Sequence, residues 1–210
     1  MIEFAASAFA TLFVLIDPIG VAPVFAALTA GMASRDRVRV AVRGAVIAFG
    51  ILAAFALAGE AILETMGIGM PAFRISGGVM LFLIALDMLF ERRSERRERG
   101  AEQGAGGDDP AVFPLATPLI AGPGAMAAMI LLTEGRRDDV VVVAVVLGVA
   151  AAVLAICLAL FLAGMRLERR LGPTGVRVIT RLMGVLLGAL AIQFMLDGLA
   201  DFGLLPKAPA

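Results

Sequence analysis

The sequence contains no histidine and only one cysteine, and these two scarcities exclude several kinds of site. Without histidine, the chain lacks a common metal ligand and the usual general base near neutral pH. A lone Cys157 excludes an intramolecular disulfide and a zinc cluster, and its apolar surroundings predict a small packing residue. The formal net charge is 0, so no basic groove for nucleic acid is expected. The chain also carries no ATP-binding motif and no Gly-x-Gly-Asp pair, and we therefore expect neither an enzyme nor a bound cofactor.

Apolar residues dominate what is present. They make up 60% of the chain, and the mean hydropathy is +0.97, whereas soluble domains are about 45–50% apolar. Several apolar segments reach the length of about 20 residues that crosses a hydrocarbon core roughly 30 Å thick. The start, Met1-Ile2-Glu3, lacks the positive region of a signal peptide, so we expect the first segment to be retained. We predict an all-α polytopic membrane bundle with six spans, at Phe4–Thr29, Val40–Leu63, Pro71–Phe90, Val112–Thr133, Val140–Met165 and Val178–Leu199.

Arginine placement predicts how the spans are oriented. Three alternate loops hold most of the basic residues, and cytoplasmic loops are the ones enriched in arginine and lysine. This distribution predicts that the N-terminus and the C-terminus both lie on the outer side of the membrane, which is the periplasmic side in a bacterial inner membrane. The arginines of the three inner loops are Arg35, Arg37, Arg39 and Arg43; Arg92, Arg93, Arg96, Arg97 and Arg99; and Arg166, Arg169, Arg170 and Arg177.

A charged, glycine-rich stretch, Glu91–Pro110, divides the chain into two similar halves. We interpret it as a flexible cytoplasmic linker between a first repeat at 1–90 and a second at 111–205. The first and fourth spans share prolines 100 residues apart, and Arg74-Ile75-Ser76-Gly77 resembles Arg181-Leu182-Met183-Gly184. Each half has three spans, so the second half enters the membrane from the opposite side. We therefore predict two inverted three-helix repeats, the plan of many secondary transporters.

Prolines and glycines predict that the first and fourth spans are broken near the middle of the bilayer. Proline removes a backbone donor, and irregular backbone survives at that depth only when it is buried in protein or lines a wet cavity. Paired breaks at equivalent places in two repeats indicate a transport site, although a pair of packing kinks is the alternative. Exposed amides at one half-helix would suit a carboxylate, and carbonyls at the other would suit an ammonium group or a cation. The candidate binding residues in the breaks are Asp17, Pro18, Gly20, Pro23, Thr117, Pro118, Gly122, Pro123 and Gly124.

Three ionisable residues within the spans are also candidates, because such residues are costly in lipid. Asp17 lies in the first break, where it could bind an ammonium group, hold a cation, carry a proton, or cap the half-helix that follows it. Arg74 and Arg181 occupy repeat-related positions. Each could bind a carboxylate or merely extend its side chain toward the interface. Gln193 is expected to form an interhelical hydrogen bond.

These motifs resemble those of the MarC family of six-span inner-membrane proteins of bacteria and archaea. The resemblance implies transport of small neutral amino acids, such as glycine or alanine, coupled to a cation or proton. One difference lies in the first break, where Val21 occupies a place that is often asparagine in this family. The motifs that carry the resemblance are Asp17-Pro18-Ile19-Gly20, Arg74-Ile75-Ser76-Gly77-Gly78, the stretch from Phe113 to Gly124, Ile179-Thr180-Arg181-Leu182-Met183-Gly184 and Gln193-Phe194.

The leading hypothesis is therefore a transporter or exporter of small neutral amino acids or similar solutes, working by alternating access around the two breaks. In the absence of an ATP-binding motif, an ion gradient of protons or sodium would have to drive it. The sequence leaves open a passive channel or pore, and a regulatory membrane protein without transport activity. The expected partners are the lipid bilayer and a small-molecule substrate, and a homo-oligomer remains open.

Overall fold

The computed structural model describes residues 1–90, 109–136, 139–163 and 165–204, with the backbone alone at 165–173. The described residues exclude nearly all of the predicted linker, with its arginines at 92–99, and residues 137, 138 and 207. The side chains of the arginines at 166–170 are likewise not described. Every described element is helical, which confirms the all-α prediction. The helices are α1 Ile2–Ile16, α2 Pro18–Leu28, α3 Ser34–Thr65, α4 Met70–Leu89, α5 Ala111–Ile120, α6 Pro123–Thr133, α7 Val140–Ala163 and α8 Met165–Asp201.

Five of the predicted spans are helices long and apolar enough to cross a membrane, with α1 and α2 counted together as the first. The fourth predicted span is a pair, α5 and α6, bent by 57°. The six segments thus correspond to the six predicted spans, and the broken fourth span is confirmed. Helices α3 and α8 extend beyond the apolar segments because their charged ends continue the helix, as at Ser34–Arg39.

The distribution of apolar side chains is that of a protein surrounded by lipid. A core of leucine, alanine and phenylalanine residues joins the spans at the centre of the bundle. Large apolar side chains are also exposed along the outward faces of α3, α4 and α8, among them Val46, Leu83 and Leu186. A continuous apolar exterior of this kind would be unstable in water and is what a hydrocarbon environment accommodates.

Contacts between helices give the direction of each span. Along α3, Gly44 approaches Leu115 of α5 and Gly59 approaches Ile130 of α6, so the second and fourth spans run parallel. The first span runs antiparallel to α6, since Gly124 lies near Leu15 at the end of α1 and Arg136 lies over the ring of Phe4 at its start. The first and fourth spans, which hold equivalent positions in the two halves, therefore run in opposite directions. That is the geometry expected of inverted repeats.

Packing partners are exchanged between the two halves. The first span packs on α7, where Phe25 and Phe161 stack with ring centroids 4.5 Å apart. The fourth span packs on α3 in the same manner, and α4 packs on α8. A two-fold axis relating the halves would produce this exchange, because it maps the first span onto the fourth and the fifth onto the second.

Helices α4 and α8 share the most extensive helix–helix packing among the described residues, and glycine permits it. They are antiparallel, since Gly198 lies against Pro71 and Ile75, whereas Gly184 lies against Ala85 and Met88. A Cβ atom at Gly78 would be 2.7 Å from the carbonyl oxygen of Ala191, closer than Cβ atoms normally approach. Small residues at interfaces let membrane helices approach closely and gain van der Waals contact.

We predict that Gly78→Ala lowers the thermal stability of the protein in detergent. The added methyl group has no space against the α8 backbone, and overpacking of this kind typically costs about 1–3 kcal/mol. The matched control is Gly50→Ala, because a Cβ atom there would meet nothing within 4 Å and alanine favours the helix. Equal thermal unfolding temperatures of Gly78→Ala and Gly50→Ala would contradict close packing of Gly78 against α8.

Candidate functional site

The first break is a single residue, Asp17, between α1 and α2. Its backbone is left-handed, with φ 54° and ψ 65°, which an aspartate tolerates better than most residues do. Its carboxylate accepts a hydrogen bond of 3.1 Å from the amide of Gly20, so it caps α2 as the sequence predicts. Asp17 is 4% exposed and is the one buried carboxylate among the described residues. Pro18 begins α2, where its missing amide costs nothing.

The second break is longer and involves α5 as well as the turn after it. Phe113 and Thr117 have extended backbones, because each precedes a proline and the proline ring excludes the helical region. The chain then turns at Ala121 and Gly122 before α6 begins at Pro123. A Cβ atom at Gly122 would lie 2.8 Å from the carbonyl oxygen of Pro118, so the turn has room only for glycine. Gly122 also has no side chain with which to cap the amides of the first turn of α6.

The two breaks correspond by structure rather than by the 100-residue offset of the prolines. Pro18 opens the eleven-residue helix α2, and the residue in the same role is Pro123, which opens the eleven-residue α6. Pro118 instead lies within α5, and Pro23 lies within α2. The half-helices also end alike. A buried threonine lies at the end of each, Thr29 directly after α2 and Thr133 as the last residue of α6. Two residues later comes a glycine with positive φ, Gly31 or Gly135.

The breaks meet in the centre of the bundle. A Cβ atom at Gly124, in the first turn of α6, would lie 3.3 Å from Cδ2 of Leu15, two residues before Asp17. The same atom would lie 2.7 Å from Cδ1 of Ile84 and 3.1 Å from Cδ2 of Leu81, both on α4. Gly124 thus brings the second break against the end of α1 and against α4. A larger residue at 124 would have to displace the ends of these three side chains.

The other predicted break residues differ in exposure. Pro18 is buried, whereas Gly20, Pro23, Thr117 and Gly122 are partly buried. Pro118 and Pro123 are exposed. Val21, which occupies the place that is often asparagine in the family resembled, is fully buried in the apolar core. The side chain at 21 therefore packs within the protein.

The two arginines are not brought together. The Arg74 guanidinium bonds to the carboxylates of Glu134, after α6, and Asp201, at the end of α8. Arg181 is exposed and lies one turn before Gly184, which contacts Met88 near the other end of α4. With a rise of about 1.5 Å per residue, these two ends of α4 are roughly 20 Å apart. The binding role assigned to each arginine stays a prediction, and neither lies in a break.

Sequence reasoning missed the partners of Arg74. An arginine close to the membrane requires a counter-charge or contact with water, and the acidic residues that close α6 and α8 were available to supply it. In the sequence, Arg74 is 60 positions from Glu134 and 127 positions from Asp201, so only the packing of three helices reveals these contacts.

The structure also differs from the prediction for Gln193. Its amide nitrogen donates to Asp197 on its own helix at 2.8 Å, instead of to a neighbouring helix.

Comparisons with known proteins cover nearly the whole chain. A model described as MarC family integral membrane protein matches residues 2–202. The chain is 37% identical over 201 residues to a UPF0056 membrane protein of Archaeoglobus fulgidus, which covers 95% of this chain and 94% of the relative. It is 34% identical over 202 residues to UPF0056 membrane protein YvbG of Bacillus subtilis, with 95% of each chain covered. It is 35% identical over 194 residues to UPF0056 membrane protein YhcE of Escherichia coli, with 91% and 89% covered. No solved structure matches.

We predict that Asp17→Ala destabilises the protein more than Asp17→Asn does. Asparagine tolerates the left-handed backbone and still accepts the Gly20 amide, whereas alanine does neither. The lost cap and the strained backbone should together cost about 2 kcal/mol in Asp17→Ala. Thermal unfolding of the two variants in one detergent measures the difference. Equal stability would mean that the break does not depend on this cap.

Proposed function

The chain belongs to the MarC family of integral membrane proteins, and we propose that it is a transporter of small neutral amino acids. In this proposal the substrate binds between the two breaks, and access alternates between the two sides of the membrane. One observation supports the proposal most directly. The two broken spans run in opposite directions and contact each other at Gly124 and Leu15. Paired discontinuous helices of this kind hold the substrate in many secondary transporters.

The chemistry of the breaks favours a small zwitterion. At the start of α6, the first amides have no acceptor within the helix and Gly122 has no side chain to supply one, so a carboxylate is the complementary group. Asp17 supplies a buried carboxyl group, and a carboxylate is the partner that an ammonium group would require. The side chains of Leu15, Leu81 and Ile84 closely surround Gly124, and a small substrate side chain is the kind that we expect such surroundings to accept. Glycine and alanine fit these three conditions.

Orientation and energy source complete the proposal. The arginine-rich ends, which include Arg35, Arg37 and Arg43, would face the cytoplasm, and both termini would face the periplasm of a bacterial inner membrane. Arg74, Glu134 and Asp201 would then lie at the periplasmic end. A proton or sodium gradient would drive the transport, with Asp17 as the group that responds to the coupling ion.

We predict that purified protein in liposomes catalyses saturable counterflow of radiolabelled glycine or alanine, and that Asp17→Asn reduces it about tenfold or more. The asparagine variant keeps the cap but removes the charge, and a hydrogen bond to a charged group contributes about 1.5–3 kcal/mol. Gly122→Leu should also abolish counterflow, because its side chain would collide with the Pro118 carbonyl.

The control for these variants is Gly50→Ala, which changes a position on α3 with open space around it and should retain full flux. Flux in Asp17→Asn equal to that of the wild type would contradict a substrate or ion site in the break. Flux that never saturates and shows no counterflow would identify a passive pore instead. No flux for any small amino acid would favour a regulatory membrane protein.

A further inference from the structure

The packing separates the six spans into two groups. Helices α4 and α8 form a two-helix unit, held together along its length by Gly78, Gly184 and Gly198. The remaining helices form a four-span unit, in which α3 packs on α5, α6 and α7, and α7 packs on α1 and α2. The two-fold relation between the repeats maps each unit onto itself. A movement of one unit against the other would therefore open opposite sides of the membrane by equivalent amounts.

The boundary between these units passes through the candidate site. Gly124, at the start of α6, lies in close contact with Leu81 and Ile84 of α4. One turn further along, a Cβ atom at Gly77 of α4 would lie 3.9 Å from Cβ of Ala127 in α6. The other contacts across this boundary are those of α1, α2 and α7 with α8, and each of these interfaces is smaller than that between α4 and α8. The second break thus belongs to the four-span unit, whereas the α4 residues that pack over it belong to the two-helix unit.

The two bonds of Arg74 differ in which units they join. Its bond to Asp201 lies within the two-helix unit, since α4 carries the arginine and α8 carries the aspartate. Its bond to Glu134 crosses the boundary, because Glu134 follows α6. The α6 end is in turn fixed to α3, where the Thr133 hydroxyl lies 3.1 Å from the carbonyl oxygen of Ala56. All three charged side chains are partly buried, which strengthens a charge-assisted bond relative to one in open water.

We propose that the two-helix unit moves as one body against the four-span unit, and that the Arg74–Glu134 bond is the latch that closes the outer edge of their boundary. The latch is formed when the outer side is closed and breaks when that side opens. The Arg74–Asp201 bond persists in both states and keeps the guanidinium in position. This inference rests on the proposed transport function for its purpose, but the movement itself can be measured without any substrate.

Two disulfide pairs of matched geometry test the movement. In a Cys157→Ala background, Gly77→Cys with Ala127→Cys joins the two units, and Ala85→Cys with Gly188→Cys joins α4 to α8 within one unit. The respective Cβ separations, 3.9 Å and 3.7 Å, both suit a disulfide. We expect oxidation of the first pair to stop glycine counterflow, with recovery on reduction, and oxidation of the second to leave it unchanged. Full flux with the first pair oxidised, or arrest by the second pair, would overturn the proposal.

Distances between spin labels test the latch independently of flux. Labels at Ile62→Cys on α3 and Leu196→Cys on α8 report across the boundary, and both positions are exposed. Labels at Ile62→Cys and Val140→Cys lie within the four-span unit and serve as the reference pair. We expect Glu134→Ala to shift the Ile62–Leu196 distribution to longer distances, whereas Asp201→Ala leaves it unchanged and neither affects the reference pair.

The outcomes separate this inference from the proposed function. An Ile62–Leu196 distribution that is the same in wild type and Glu134→Ala would overturn the latch, whatever the flux. An equal shift in Asp201→Ala would show that the cluster acts as a whole and would overturn the assignment of separate roles. Absence of flux in the wild type, with the expected shift in label distances, would reject the transported substrate and leave the latch supported.

Discussion

The fold depends on the requirement that backbone amides and carbonyls be satisfied inside a membrane. A continuous helix meets this requirement by itself, but a broken span does not. At Asp17 and at Ala121–Gly122 the chain gives up helical hydrogen bonds at the centre of the bundle. Such breaks persist only because protein surrounds them, and the arrangement of the other four spans supplies that enclosure.

Each break is stabilised in a different way, so the two breaks differ chemically. Asp17 satisfies an amide of α2 with its own side chain, so the first break contains a buried carboxyl group. Gly122 has no side chain, so the amides at the start of α6 depend on something else. The packing of α6 on the end of α1 brings a carboxylate and the amide end of a helix to the same region. A zwitterionic ligand would complement both, which is why we propose an amino acid and not an ion alone.

Much of this could be predicted from the sequence, because the signals are local. The apolar segments, the proline-glycine breaks and the capping role of Asp17 depend on neighbouring residues only, and the structure confirms them. The equivalence of Pro18 with Pro123 could not be predicted, since it depends on where each half-helix starts. The bonds of Arg74 to Glu134 and Asp201 also escaped prediction, because they join distant parts of the chain through helix packing. The close approach of α4 to α8 could not be predicted either, because glycine is common in membrane helices whether or not it lies at an interface.

If the two breaks form one water-accessible binding site between the halves, a small polar reagent should reach the residues beside them. Ile19 lies in the first turn of α2, beside the first break, and is partly buried, so Ile19→Cys in a Cys157→Ala background reports on access to the break. Val46→Cys on the exposed face of α3 is the reference position. We predict that a small hydrophilic thiol reagent modifies Ile19→Cys, and that saturating glycine or alanine slows this reaction while the rate at Val46→Cys is unaffected. A rate at Ile19→Cys that is zero from both sides, or that no small amino acid changes, would contradict it.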